Sequence, residues 1–170
     1  MNELLSPHKL WSRVEVLANP CPVPRSAGVY AWYFRQVPEG VPVKDCLTFE
    51  GLTLLYAGIS PKAPPQNGRT PSTQPLYDRI RYHYTGNAAG STLRLTLGCL
   101  LPGVELRRVG SGKRFHFAGD ERKVSEWMKC NAFVTWLETP EPWNVEAAMM
   151  RAVSLPLNLA SERAILTSIP

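Results

Sequence analysis

The sequence predicts a small α/β domain of the α+β kind: a central, mainly antiparallel three-stranded sheet flanked by helices, with an added β-hairpin. Three observations point there. Residues 27–34, 53–59 and 132–138 are dense in Val, Tyr, Trp, Phe and Thr, the types that suit a pleated, half-buried surface. Stretches between them carry apolar residues three and four apart, which is the helical period. The length, 170 residues with 44% hydrophobic and 19% charged, allows one core, so residues 1–170 read as one domain with its core at about 26–160.

Taken in order, Ser6 as N-cap and Pro7 at the first helical position predict a first helix with Leu10, Val14 and Leu17 on one face, stopped at Asn19-Pro20. After Pro20, Pro22 and Pro24, the runs 27–34 and 53–59 read as antiparallel strands joined by a long connection. Residues 61–75 are proline-rich with almost no large apolar side chain, hence a surface excursion. Pro75 opens a helix whose Leu76, Ile80 and Tyr84 form one apolar stripe and whose Arg79 and His83 form the adjoining one; Gly86 ends it.

Ser91 is a suitable N-cap for a helix through Leu93, Leu97, Leu100 and Leu101. The alternation of Leu93, Leu95 and Leu97 also fits a strand, and the helix is preferred. Residues 104–117 alternate apolar and basic side chains around Gly110-Ser111-Gly112, the pattern of an exposed hairpin. Asp120 is expected to cap a short helix carrying Val124, Trp127 and Met128. The strand 132–138 follows, and Pro142 starts a last helix with Val145, Met149 and Ala152 facing inward, ended at Leu155-Pro156-Leu157.

Composition excludes several classes of function. No apolar run approaches the roughly 20 residues of a membrane helix, and Met1–Ser12 has no apolar signal region, so a cytoplasmic protein with no membrane partner is expected. Cysteines at 21, 46, 99 and 130 form no CxxC and are expected to be reduced, buried and inert; His8, His83 and His116 are dispersed. Any metal must then be held mainly by oxygen. Net charge is +5, and residues 61–120 hold nine basic against three acidic side chains while the flanking regions nearly balance. Such a cluster suits a polyanion, although a solvated basic surface has the same composition.

Several residues stand out by type and order: Gly28-Val29-Tyr30 on one strand, Tyr56-Ala57-Gly58 on the next, Arg79 and His83 on the following helix, Glu146 on the last helix, and Asn158 beyond it. Together these resemble the signature of the GIY-YIG nuclease family, over about Gly28 to Asn158. Ala57 stands where the family usually has isoleucine, and the loops 35–52 and 61–75 are long. The choice of Arg79 over Arg69 or Arg81 therefore rests on helix phase.

The resemblance implies an endonuclease that hydrolyses phosphodiester bonds in nucleic acid, DNA ahead of RNA, with Mg²⁺ or Mn²⁺, and a catalytic set of Tyr30, Tyr56, Arg79, His83, Glu146 and Asn158. The residue types fit the chemistry. A single carboxylate, Glu146, suits a divalent ion that keeps most of its waters. A planar guanidinium at Arg79 grips phosphate oxygens in two places. Tyr30 is the first choice for activating water and Tyr56 the second, given a nearby cation to lower a pKa of about 10. His83 would orient a tyrosine or a phosphate, or carry a proton. Arg81, Arg94, Arg107, Arg108, Lys113 and Arg114, with Lys62 and Arg69, are candidates for binding the nucleic-acid backbone. The alternative on the same fold is a catalytically weak nucleic-acid-binding or protein-interaction module. Target choice would come from a partner protein or a homodimer.

Overall fold

The aromatic and β-branched runs form the strands that their composition predicts, and the helical stripes pack on both sides of them. The computed structural model describes residues 1–158. In chain order the elements are α1 (Asn2–Leu5), β1 (Trp11–Ser12), α2 (Arg13–Val16), β2 (Gly28–Phe34), β3 (Thr48–Phe49), β4 (Leu52–Ser60), α3 (Leu76–Thr85), α4 (Thr92–Leu100), β5 (Arg107–Arg108), β6 (Phe115–His116), α5 (Glu121–Asn131), β7 (Ala132–Glu138) and α6 (Pro142–Ala152). The main sheet has order β1-β7-β2-β4-β3. Every pairing in it is antiparallel. Its three long strands are the expected ones, and two-residue strands at each edge make it five-stranded rather than three. β5 and β6 pair as the predicted hairpin.

β2 lies at the centre and is buried along its whole length, which is why its sequence shows no polar alternation. Tyr30, Trp32 and Phe34 face one layer with Leu76, Ile80 and Tyr84 of α3, Leu93 and Leu97 of α4, and Val124 and Met128 of α5. Val29, Ala31 and Tyr33 face the other, with Leu4 of α1 and Met149 of α6. In β4 a bulge opposite Trp32/Tyr33 leaves Leu55 without a partner in the pairing. Leu55 and Tyr56 consequently both join the α3 side, and Tyr56 stands across from Trp32.

The first-helix expectation fails. Trp11–Ser12 pairs with Phe133–Val134, and a four-residue helix follows whose N-cap is Ser12, not Ser6. Ser12 and Glu15 form a capping box, typically worth about 1 kcal/mol, and this S-x-x-E signal was present in the sequence. Val14, expected inside, is 68% exposed. On α6, Met149 is buried and Val145 partly so, but Ala152 faces solvent. Asp120 stands at the N-cap of α5 without capping it; its carboxylate accepts from the Glu105 backbone and pairs with Lys123. The cysteines are free thiols, but none is fully buried: Cys21 and Cys46 are partly exposed, and Cys99 and Cys130 are exposed because they lie on the solvent sides of α4 and α5. No helix among the described residues is long and apolar enough to cross a membrane.

One buried cation ties the helical layer together. Arg94, expected on a nucleic-acid surface, is 0% exposed. Its guanidinium donates to the Glu121 carboxylate at 2.8 Å, to the Glu121 carbonyl at 2.9 Å, to Ser125 Oγ at 3.1 Å, and to the carbonyls of His83 and Tyr84 at the end of α3. Every partner compensates part of the cost of taking a charge out of water. Truncating Glu121 to Ala leaves that charge unpaired, so urea unfolding should show a loss of about 3–5 kcal/mol. Arg114→Ala on the exposed hairpin should stay within about 0.5 kcal/mol.

Candidate active site

Two strands and one helix bring four of the candidate residues together. On β2 and β4, Tyr30 and Gly58 are directly opposed. The Tyr30 ring lies over Gly58 so closely that a Cβ there would sit 2.5 Å from its hydroxyl oxygen. Gly28 is equally constrained, since a Cβ would overlap the Leu137 carbonyl and the Leu76 side chain. Both glycines of the two strand motifs therefore have a steric cause: one admits the tyrosine, the other lets β2 approach β7 and α3.

Around the Tyr30 hydroxyl the polar groups converge. It meets His83 Nε2 at 2.9 Å and accepts from Arg79 Nε at 3.3 Å. Arg79 Nη1 donates to the Gly90 carbonyl at 2.8 Å, which leaves Nη2 without a protein partner among the described residues. His83 Nδ1 meets Ser91 Oγ at 2.7 Å, and the same oxygen accepts the Arg94 backbone N–H as the N-cap of α4. Arg79 is thus the arginine of α3 that reaches the Tyr30 hydroxyl. Arg81 lies on the opposite flank of α3, donating to the Val16 carbonyl at 3.1 Å and facing the Tyr77 ring.

Tyr56 packs edge-on to the His83 ring at 6.2 Å between centroids and is 7% exposed. Glu146 on α6 is half-buried, and no cation pairs with it among the described residues. Burial raises its pKa. No group of three or more His, Cys, Asp or Glu side chains suited to an ion exists among the described residues. A lone, partly desolvated carboxylate without a protein cation fits a single hard divalent ion that keeps most of its own water.

Electrostatics sets the resting protonation states. His83 is fully buried and its pKa is well below the ordinary value, first through desolvation and then through the Arg79 and Arg94 charges, so it is neutral. Burial raises Tyr30, against the pull of Arg79, and the Glu146 charge adds to the rise. Tyr56 is raised in the same way, mainly by burial. The Glu146 charge adds a small further rise to both phenols, after burial.

Asn158 takes a different place from that expected of a reacting group. Its amide Oδ1 accepts from the Ala57 N–H at 2.8 Å and its Nδ2 donates to the Ala57 carbonyl at 2.6 Å. With the Leu157 N–H donating to the Leu55 carbonyl, residues 157–158 pair with the outer edge of β4 beyond β3 and hold the strand carrying Tyr56. The hairpin residues Arg107, Arg108, Lys113 and Arg114 are exposed, and β6 packs beside the 88–90 turn that receives Arg79. Sequence reasoning named Ser91 only as a cap and missed its bond to His83. The i, i+8 spacing across a helix end carries no signal of its own.

A family model described as the GIY-YIG catalytic domain matches residues 28–168. No curated protein and no solved structure gives a significant match.

A neutral buried imidazole has a pH signature. His83 takes up a proton more readily unfolded than folded, so its contribution is complete above about pH 6.5 and is lost as pH falls below it. Glu15, held down to about 2 by Lys9 and Ser12, weakens the fold only below about 4.5. In a Glu146→Ala background, which removes the opposing titration of that raised carboxylate, urea denaturation between pH 7.5 and 5 should therefore show stability falling with a slope approaching about 1.4 kcal/mol per pH unit below 6.5. His83→Gln should lack that slope. An equal slope in the variant would mean that His83 is protonated in the native state.

Proposed function

Since the chain belongs to the GIY-YIG family, whose members are generally nucleases acting on nucleic acid, we propose that it is a Mg²⁺- or Mn²⁺-dependent endonuclease that hydrolyses phosphodiester bonds, with DNA as the preferred substrate. The observation that carries this reading is the convergence of Arg79 and His83 on the Tyr30 hydroxyl.

Arg79 is the fixed cation for the scissile phosphate. Its Nε and Nη1 are held by Tyr30 and Gly90, so Nη2 and the outer edge of the guanidinium are presented already oriented. Tyr30 is the water-activating group because it alone has an acceptor behind it. With Arg79 Nε–H donating to the phenolic oxygen and Nδ1–H of His83 donating to Ser91, the imidazole offers an unprotonated Nε2 to the Tyr30 O–H. As the phenolic oxygen takes a proton from the attacking water, its own proton passes to Nε2. The raised Tyr30 pKa keeps this oxygen protonated at rest, so the transfer is coupled to attack. The hydroxyl of Tyr56 would hold the water or a phosphate oxygen.

Glu146 would hold the divalent ion, whose charge offsets the negative charge that builds on the phosphate and on the leaving oxygen. Arg107, Arg108, Lys113 and Arg114 extend along the exposed hairpin next to the 88–90 turn and are read as contacts to the backbone on either side of the cut. Arg81 and Arg94 leave this set, because their guanidinium groups serve the fold.

Cleavage of a labelled duplex with Mg²⁺ tests the reading. Glu146→Ala should lose cleavage while retaining binding and folding. Its melting temperature without metal should rise, since a carboxylate whose folded pKa is raised opposes folding once ionised. Full Mg²⁺-dependent activity in the variant would overturn the metal assignment. Under single-turnover conditions Arg79→Ala should slow cleavage by at least about 100-fold. Arg81→Ala should leave the rate within about threefold, since its side chain serves packing.

Binding should weaken steeply with salt. Neutralising Arg107, Arg108, Lys113 and Arg114 together should reduce the slope of log K against log salt by roughly three. An unchanged slope would move the binding face off the hairpin.

A further inference from the structure

Gly90 and Ser91 are consecutive, and each holds one side chain of the site. The Gly90 carbonyl accepts from Arg79 and the Ser91 hydroxyl meets His83. The two side chains are therefore placed no better than the 86–91 turn itself. The turn is anchored to α4 and α5 through the N-cap bond of Ser91 and through the Ala88 N–H donating to Glu121 at 2.8 Å. Its glycines rest on a different residue.

Tyr82, on α3 one turn beyond Arg79, lays its ring against both Gly86 and Gly90, so closely that a Cβ on either would overlap it. Its hydroxyl donates to Asn87 Oδ1 at 3.3 Å, which joins the ring to the middle of the same turn. Neither glycine has a positive φ, so the close approach of the ring, and not backbone strain, is what requires them. The geometry points to Tyr82 as a positioning residue: its ring fixes the Gly90 carbonyl, and that carbonyl fixes the Arg79 guanidinium. The catalytic half of this inference rests on the endonuclease reading, and the structural half does not.

The test uses Tyr82→Phe, Tyr82→Ala and Gly90→Ala in the full chain and reads two quantities. One is the Nε–H NMR signal of Arg79 without substrate, assigned by its disappearance in Arg79→Lys. The other is the single-turnover cleavage rate and the affinity for a duplex oligonucleotide. Tyr82→Phe keeps the ring and should leave the Arg79 signal in place and the rate within about threefold. Tyr82→Ala should displace or broaden that signal and slow cleavage about 10- to 100-fold, the scale of a small misplacement of a catalytic group. Its affinity should change by less than about threefold, because the outer phosphate contacts are intact.

Gly90→Ala forces the ring away and should act in the same direction, which keeps the test decisive should Tyr82→Ala fail to fold. An unmoved Arg79 signal in Tyr82→Ala, or in Gly90→Ala if only that variant folds, overturns the proposal. If the unmodified protein cuts no duplex under any divalent ion, the endonuclease reading fails and the Arg79 signal alone decides the role of Tyr82.

Discussion

A fully buried guanidinium constrains everything else in the helical layer. Arg94 has no access to solvent, so its charge and its donors must be met from within, and from α4 they are met on two other helices at once: the carbonyls at the end of α3, and Glu121 and Ser125 on α5. A charge in such surroundings tolerates little displacement, because the loss of any one acceptor leaves several kcal/mol of desolvation uncompensated, of order 3–5 when a whole partner is removed. The helices therefore cannot slide independently. Glu121 extends the constraint, since its second oxygen also accepts the backbone N–H groups of Ala88 and Phe117 and so seats the turn before α4 and the root of the hairpin.

That rigidity reaches the site through Ser91. Its hydroxyl starts α4 and touches His83, so the position of the imidazole follows from the packing of α4. The Arg94 charge also helps to keep His83 neutral, after desolvation and Arg79. A neutral ring is what an acceptor behind a phenol requires. The structural cation and the chemistry are therefore linked by electrostatics as well as by contact, in an interior where a charge is felt more strongly than in water.

On the sheet side the constraint is steric. Gly58 makes room for the Tyr30 ring, Gly28 allows β7 and α3 to close on β2, and the β4 bulge turns Tyr56 toward the α3 layer. Asn158 supplies a strand-like pair of hydrogen bonds to Ala57, so the outer edge of β4 is held by two residues that follow α6. Ala57 itself packs with Val29, Ala31 and Met149 on the far face, so the smaller side chain at that position leaves the Tyr30 side untouched.

What was legible in the sequence was whatever local chemistry decides. The three long strands, the hairpin and the helices opened by Pro75, Ser91 and Pro142 follow from propensity, period and capping, which act over a few residues. The glycine–tyrosine motifs and the four-residue spacing of Arg79 and His83 follow for the same reason. The expected first helix does not form, because its apolar spacing yields to the Ser12–Glu15 capping box, and β1 owes its existence to β7 more than 120 residues away. Only the tertiary structure separates Arg94 from Arg107. These are the same side chain in similar basic stretches, and what distinguishes them is whether distant carbonyls and carboxylates surround the guanidinium or water does. Burial of a charge is a property of the partners that the fold brings to it, and those partners are not neighbours in the chain.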